Sequence, residues 1–193
     1  MEELIGPYNL GDLDIRSRVF GWNPRERYDF VSSVKIDPAV PAEVQRLLMT
    51  AKNLIIYSCF HYPFNVIAAQ TAFSALELAI RLRSDADGFT ETLKGLHAAM
   101  QRAVEEKWIS DDETLCRPRR QQNIFGPEEA ISYTELSSEQ QFVEVLAKIF
   151  PKYRNVLAHG SSSMDNLGAS MVLDVNRMIN QISRNRPFSD ANY

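Results

Sequence analysis

The chain has 193 residues, a length that suits one domain with a hydrophobic core of its own. Hydrophobic residues make up 45% and charged residues 24%, as in ordinary soluble globular proteins, and the formal net charge of -4 argues against a surface coated in basic groups for nonspecific nucleic-acid binding. Two cysteines, Cys59 and Cys116, lie far apart without metal-ligand spacing, which favours a reduced cytosolic protein.

The apolar stretches are too short to cross a membrane. The most apolar of them, residues 54–69, is interrupted by His61, Pro63 and Asn65 and falls short of the ~20 apolar residues that a span needs. The first residues are acidic and lack the basic and apolar regions of a signal peptide. We therefore expect a cytoplasmic protein without a membrane segment.

Residues 1–40 are rich in glycine and proline and show little periodicity. We predict an irregular N-terminal arm that packs on the domain, with at most a short strand near residues 30–34. Four aromatic residues are expected to anchor this arm: Phe20, Trp22, Tyr28 and Phe30. Trp22, with Arg25 and Arg27 close by, could instead stack on a nucleic-acid base, although anchoring is the commoner role of such a residue.

Apolar residues at three- and four-residue steps predict an all-α fold, a bundle of about five helices over residues 41–184. The predicted helices cover residues 41–59, 63–83 and 90–108, a stretch that begins near residue 138, and residues 165–183. Pro151 is expected to kink or reset the fourth helix. Residues 185–193 are expected to form a loose tail.

The second predicted helix is apolar on two sides, which indicates the central helix of the bundle. One side carries large residues such as Phe73, and the other carries a seam of alanines that lets another helix approach closely. A polar stripe between them includes Glu77 and Arg81, four residues apart. These two predict either a solvent-exposed ion pair or a substrate-binding place beside a catalytic cleft, and both interpretations stay open.

Residues 109–136 form a long polar connection, of the kind that is usually functional or disordered. Arg117, Arg119 and Arg120 could bind the phosphate backbone of a nucleic acid. They could equally be a solvated run that balances the acidic residues 111–113. The sequence favours neither interpretation.

Residues 153–160, Tyr-Arg-Asn-Val-Leu-Ala-His-Gly, combine a permanent positive charge with a group that titrates near neutral pH. On a helix Asn155 and His159 share one face, whereas Arg154 lies roughly 140° from His159. One helix cannot aim both groups tightly at one atom, but two copies across a dimer axis would line a single cleft. Alternatively, Arg154 binds carbonyl groups at the helix end and His159 caps it.

The pattern Arg154-Asn155-x-x-x-His159, late in an all-helical chain, resembles the arginine-x(4–6)-histidine motif of the HEPN superfamily (higher eukaryotes and prokaryotes nucleotide-binding domains). Gly160 after the histidine is similar to that family too. So is the alanine-rich pattern with Leu-Glu in residues 69–81. The resemblance covers about residues 41–183 and leaves the N-terminal arm outside.

The resemblance implies a homodimeric helical bundle that binds RNA and acts as a metal-independent endoribonuclease of a toxin–antitoxin or phage-defence system. Arg154 would bind the scissile phosphate, Asn155 would orient the phosphate or the histidine, and His159 would act as general acid and base. No metal ion or cofactor is expected. The alternative is a noncatalytic homodimeric module that uses the same scaffold to bind a partner protein or an antitoxin.

Overall fold

The computed structural model describes residues 11–111, 142–158 and 167–184. This part of the chain is entirely helical, which confirms the predicted all-α fold class. Its seven helices are α1 (Ile15–Val19), α2 (Pro24–Ser32), α3 (Ala42–Tyr57), α4 (Phe64–Ala86), α5 (Gly95–Glu105), α6 (Phe142–Ala158) and α7 (Gly168–Arg184). The last five correspond to the predicted bundle. The predicted tail, residues 185–193, lies outside the described residues, and the domain boundary near residue 40 stays a prediction.

Helix α4 is the centre of the bundle, as its two apolar sides predict. It packs against α3, α5, α6 and α7. Phe73, Leu76 and Ile80 are buried on one side, and the alanine seam is buried on the other. Because the alanine side chains are short, the helices can pack closely there.

Helix α7 is buried on nearly every side, including polar residues that its amphipathic pattern would place in water. Asn176 donates a hydrogen bond to the Val34 carbonyl at 2.9 Å, and Asn180 donates to the Lys35 carbonyl at 2.8 Å. The Asn180 side-chain oxygen accepts from the Asp37 backbone N–H at 2.9 Å. These amides therefore hold the backbone of the α2–α3 connection, which has no helix of its own to pair it.

The C-terminal half of α7 also holds the chain after α5. The side-chain oxygen of Gln181 accepts from the Ser110 backbone N–H at 3.1 Å, and its amide nitrogen donates to the Ser110 carbonyl at 3.1 Å. From α4, Arg83 donates to the Ile182 carbonyl at 2.8 Å and forms an ion pair with Asp87 at 2.8 Å. Together these contacts fix the ends of three bundle helices to one another.

The expectation of an irregular N-terminal arm is wrong for residues 15–19 and 24–32, which form α1 and α2. Each helix is capped by a polar side chain, since Asp14 accepts from the Arg16 N–H at 2.9 Å and Asn23 accepts from the Arg25 N–H at 2.8 Å. A strand over residues 30–34 is likewise wrong, because α2 extends to Ser32.

Two of the four predicted aromatic anchors hold the arm. The rings of Phe20, Trp22 and Tyr62 stack with centroids 5.2 to 6.0 Å apart, and the Arg27 guanidinium lies 3.5 Å from the Trp22 ring centroid. Trp22 is thus an anchor rather than a free stacking platform. The other two predicted anchors are wrong, since Tyr28 is 54% and Phe30 is 40% exposed.

The arm also binds the turn between α3 and α4 through its backbone. The Asp14 N–H donates to the Cys59 carbonyl at 2.9 Å, and the Ser17 hydroxyl donates to the Ser58 carbonyl at 2.9 Å. Cys59 itself is a fully buried free thiol, and burial raises its pKa. Polar contacts from α1 therefore cover the end of α3.

Two predicted details of the bundle helices are wrong. The third helix begins at Gly95, not near residue 90. The fourth, α6, continues through Pro151 to Ala158, so the expected reset is absent, whereas the expected kink stays a prediction. A proline inside a helix removes one backbone hydrogen bond, and burial of Phe150 and Tyr153 on either side of Pro151 offsets that loss.

We expect Gly168→Ala to destabilise the protein by about 1–3 kcal/mol, the usual cost of overpacking. A Cβ at this position would lie 2.7 Å from the side-chain oxygen of buried Asn65 and closer still to its backbone carbonyl. Alanine has a higher helix propensity than glycine, so a loss of stability could not come from propensity and would reflect the close contact with Asn65. Urea unfolding measures the effect. Gly11→Ala, where nothing lies within 4 Å, is the matched control, and equal stability of both variants would contradict the close packing.

We expect Asn180→Leu, which keeps the side-chain size, to lower the free energy of unfolding by about 1–3 kcal/mol. The substitution leaves the Lys35 carbonyl and the Asp37 N–H without their side-chain partner. Chemical denaturation of the exposed Asn53→Leu variant serves as the comparison, since surface changes are usually within about 0.5 kcal/mol. A similar small effect at both positions would show that α7 does not hold this connection.

Stability should fall at acidic pH partly through Asp14. Hydrogen bonds from Arg16 and from the Tyr62 N–H hold the pKa of the Asp14 carboxyl well below its ordinary value of 3.8. A lowered folded-state pKa means that this contribution is present above pH 3.8 and is lost as the pH falls below it. Thermal unfolding of Asp14→Asn across pH 2–7 should therefore differ from wild type most at neutral pH, and a constant difference would exclude the linkage.

Candidate functional site

Helix α6 is fixed to the core by one apolar stripe. Its ring contacts are with α4, where Phe73 lies 5.0 Å from Phe150 and 6.3 Å from Tyr153 between ring centroids. The buried residues recur at helical spacing: Val143, Leu146, Ile149, Phe150, Tyr153 and Leu157. This packing sets which α6 residues face outward.

Arg154 and Asn155 are exposed side by side near the C-terminal end of α6, between the buried residues Tyr153 and Leu157. Within the part of the chain that the structure describes, neither side chain forms an ion pair or a hydrogen bond. The neighbouring Val156 is an exposed apolar residue. This turn of α6 therefore presents an unpaired guanidinium, an amide and an apolar side chain to ligands.

His159, the third residue of the predicted constellation, follows the end of α6 at Ala158 and lies outside the described residues. Its distance from Arg154 and Asn155 stays a prediction. The basic run Arg117, Arg119 and Arg120 lies outside the described residues as well.

Glu77 and Arg81, the other predicted pair, contact each other on α4. Their charged atoms are 2.6 Å apart, and Arg81 also donates to the Leu93 carbonyl at 3.1 Å. This second bond ties α4 to the segment before α5, so the structure gives Arg81 a packing role. Among the described residues, no hydrogen bond or ion pair joins this pair to Arg154 or Asn155.

Two further cations on α6 were not recognised from the sequence. Lys148 and Lys152 are exposed, and with Asn155 they lie within about 60° of one another around the helix axis. The signal was present, because the three residues are spaced i, i+4 and i+7 opposite the apolar stripe. Lys148 lies four residues after Glu144, so Lys152 is the cation of this face that is closer to the Arg154–Asn155 pair along the helix.

A small cleft of about 190 Å³ between α5 and α6 is less suited to an anion. The exposed His97 lines it together with Lys148 and the carboxylates of Glu105 and Glu144. In residues 11–111, 142–158 and 167–184, no three histidine, cysteine or acidic side chains are arranged to hold a metal ion.

Comparison with known protein families, curated proteins and solved structures finds no match to this chain. The resemblance to HEPN domains therefore rests on the motif and on the helix order in the sequence. Among the described helices, none has the length and apolar character needed to cross a membrane.

Proposed function

We propose that this chain is a HEPN-like, RNA-binding domain that cleaves RNA without a metal ion, as part of a cytoplasmic toxin or phage-defence system. The observation that carries the proposal is the exposed Arg154–Asn155 pair near the C-terminal end of α6, a helix that its apolar stripe fixes to the core. An unpaired surface arginine next to an amide suits a phosphodiester, because guanidinium binds phosphate oxygens with two parallel hydrogen bonds.

In the proposed reaction, Arg154 binds the scissile phosphate and neutralises its charge. His159 removes the proton from the 2′-hydroxyl or donates one to the leaving 5′-oxygen, and water takes part in the other proton transfer. The 2′-oxygen forms a bond to phosphorus as the bond to the 5′-oxygen breaks. The products carry a 2′,3′-cyclic phosphate and a 5′-hydroxyl, and no oxidant, metal ion or cofactor takes part.

The proposed enzyme is a homodimer that joins two copies of the last turns of α6. On an ideal helix Arg154 and His159 would point in different directions, so a second copy would complete the cleft. Exposed Val156 supplies apolar surface beside the polar pair, as the centre of a protein interface requires. Lys148 and Lys152 would bind the flanking phosphates, making RNA affinity fall with salt concentration.

We expect Arg154→Ala and His159→Ala each to lower the rate of RNA cleavage in EDTA by about 100-fold or more. Arg154→Lys should recover only part of the rate, since it keeps the charge but not the planar pair of donors. Gel analysis of a 5′-labelled RNA, with detection of the cyclic phosphate end, measures both rate and chemistry. Arg25→Ala, an exposed arginine on α2, is the matched control.

Several results would reject this function. Cleavage by His159→Ala at the wild-type rate excludes the histidine from the chemistry. If the wild-type protein neither cleaves nor binds RNA, yet forms a dimer that retains a partner protein after Arg154→Ala, the noncatalytic interaction module replaces the proposal. Sedimentation analysis at the same protein concentrations establishes the oligomeric state.

A further inference from the structure

A second concave surface lies on the N-terminal helices of the described fold. It is a groove of about 710 Å³ between α2, the α2–α3 connection and α3, which we call the α2–α3 groove. The volume falls within the range of about 300–1,000 Å³ typical of small-molecule sites. Its apolar lining is mostly aliphatic: Val31, Val34, Ile36, Met49 and Ile56.

The charges that line the α2–α3 groove are all positive. Lys35, Arg46 and Lys52 are its ionic lining residues, and no carboxylate is among them. Within the described part of the chain, none of the three forms an ion pair. Lys35 and Arg46 are exposed at the rim, whereas Lys52 is only 7% exposed.

Lys52 is an ammonium group buried without a carboxylate. Its Nζ donates to the Val34 carbonyl, and an ammonium group carries three N–H donors, so two remain for a ligand. Burial lowers the pKa of Lys52 to about 8, which reflects the cost of keeping its charge away from water. An anion beside Lys52 would offset the part of that cost that the Val34 carbonyl leaves, since no carboxylate lines the groove.

The groove wall is held in shape before any ligand arrives. The Val34 carbonyl accepts from both Lys52 and Asn176, and Asn180 holds the next residues of the same connection. A wall fixed by hydrogen bonds loses little entropy on binding. Tyr28 and Met49, both more than half exposed, are apolar side chains at the groove that a ligand would cover.

We propose that the α2–α3 groove binds a small organic anion with one carboxylate or phosphate head group and an aliphatic body. The head group contacts Lys52 with Lys35 and Arg46, and the body lies on the Val31, Ile36 and Met49 side chains. The site is independent of Arg154 and of the proposed RNA cleavage.

The proposal is tested with the full chain and four twelve-carbon probes: dodecanoate, dodecyl phosphate, dodecanol and dodecylammonium, each kept below its aggregation concentration. Calorimetry should show one site for at least one of the two anions, with dodecanol and dodecylammonium weaker by about tenfold or more. Whichever anion binds more tightly identifies the head group. Dodecanol binding as tightly as both anions, or no binding of either anion, would overturn the proposal.

Lys52→Met keeps the aliphatic stem and should weaken anion binding by about tenfold or more without changing dodecanol binding. The variant should fold, because the Val34 carbonyl keeps its bond from Asn176 at 2.9 Å. Lys94→Met, an exposed lysine before α5, is the matched control and should bind like wild type. Equal loss in both lysine variants would place the anion elsewhere.

Two variants at exposed Met49 keep the test valid even if Lys52→Met does not fold. Met49→Glu places a carboxylate on the groove wall, and Met49→Gln is the neutral variant of the same shape. The glutamate variant should bind the anions about tenfold more weakly than the glutamine variant, and equal affinity would rule out this groove. Adenosine monophosphate is a further probe. If it binds more tightly than both aliphatic anions, the proposal that the ligand has an aliphatic body is wrong.

Discussion

The described fold depends on hydrogen bonds from the amide side chains of α7 to a connection almost 150 residues earlier in the chain. Backbone groups at residues 34–37 belong to no helix, and leaving them unpaired near the core would cost about 1–3 kcal/mol each. Asn176 and Asn180 satisfy them while α7 packs against α2, α3 and α4. The same contacts shape the wall of the α2–α3 groove, so one polar network serves both packing and the cavity.

The two candidate sites differ in how they use charge. Helix α6 presents Arg154 and the flanking lysines to water, where a long polymer with regularly spaced phosphates can reach them. The groove instead keeps one cation, Lys52, away from water beside an aliphatic wall. The first arrangement favours an extended polyanion, and the second favours a compact ligand with a single charge.

Much of the bundle could be predicted from apolar spacing, whereas its long-range polar contacts could not. Helix α4 was recognised as central because both of its stripes recur at helical spacing, and the outward position of Arg154 follows from the stripe on α6. The hydrogen bonds of the α7 asparagine amides were not predicted, because their partners lie more than 140 residues away in the sequence. The burial of Lys52 was not predicted either, because its partner is a backbone carbonyl, which no sequence pattern indicates. A lysine four residues after buried Leu48, within an apolar stripe, was nevertheless a readable signal. Helices α1 and α2 lack such stripes, although Asn23-Pro24 is a recognisable helix start.

The buried thiol at the end of α3 links chemical reactivity to the order of the arm. The Asp14 N–H donates to the Cys59 carbonyl, and burial raises the pKa of the thiol, which favours its protonated form. Since only a thiolate attacks an electrophile readily, the residue is inert while α1 stays docked. Its alkylation rate would thus report the local opening equilibrium of the N-terminal helices, separately from unfolding of the bundle.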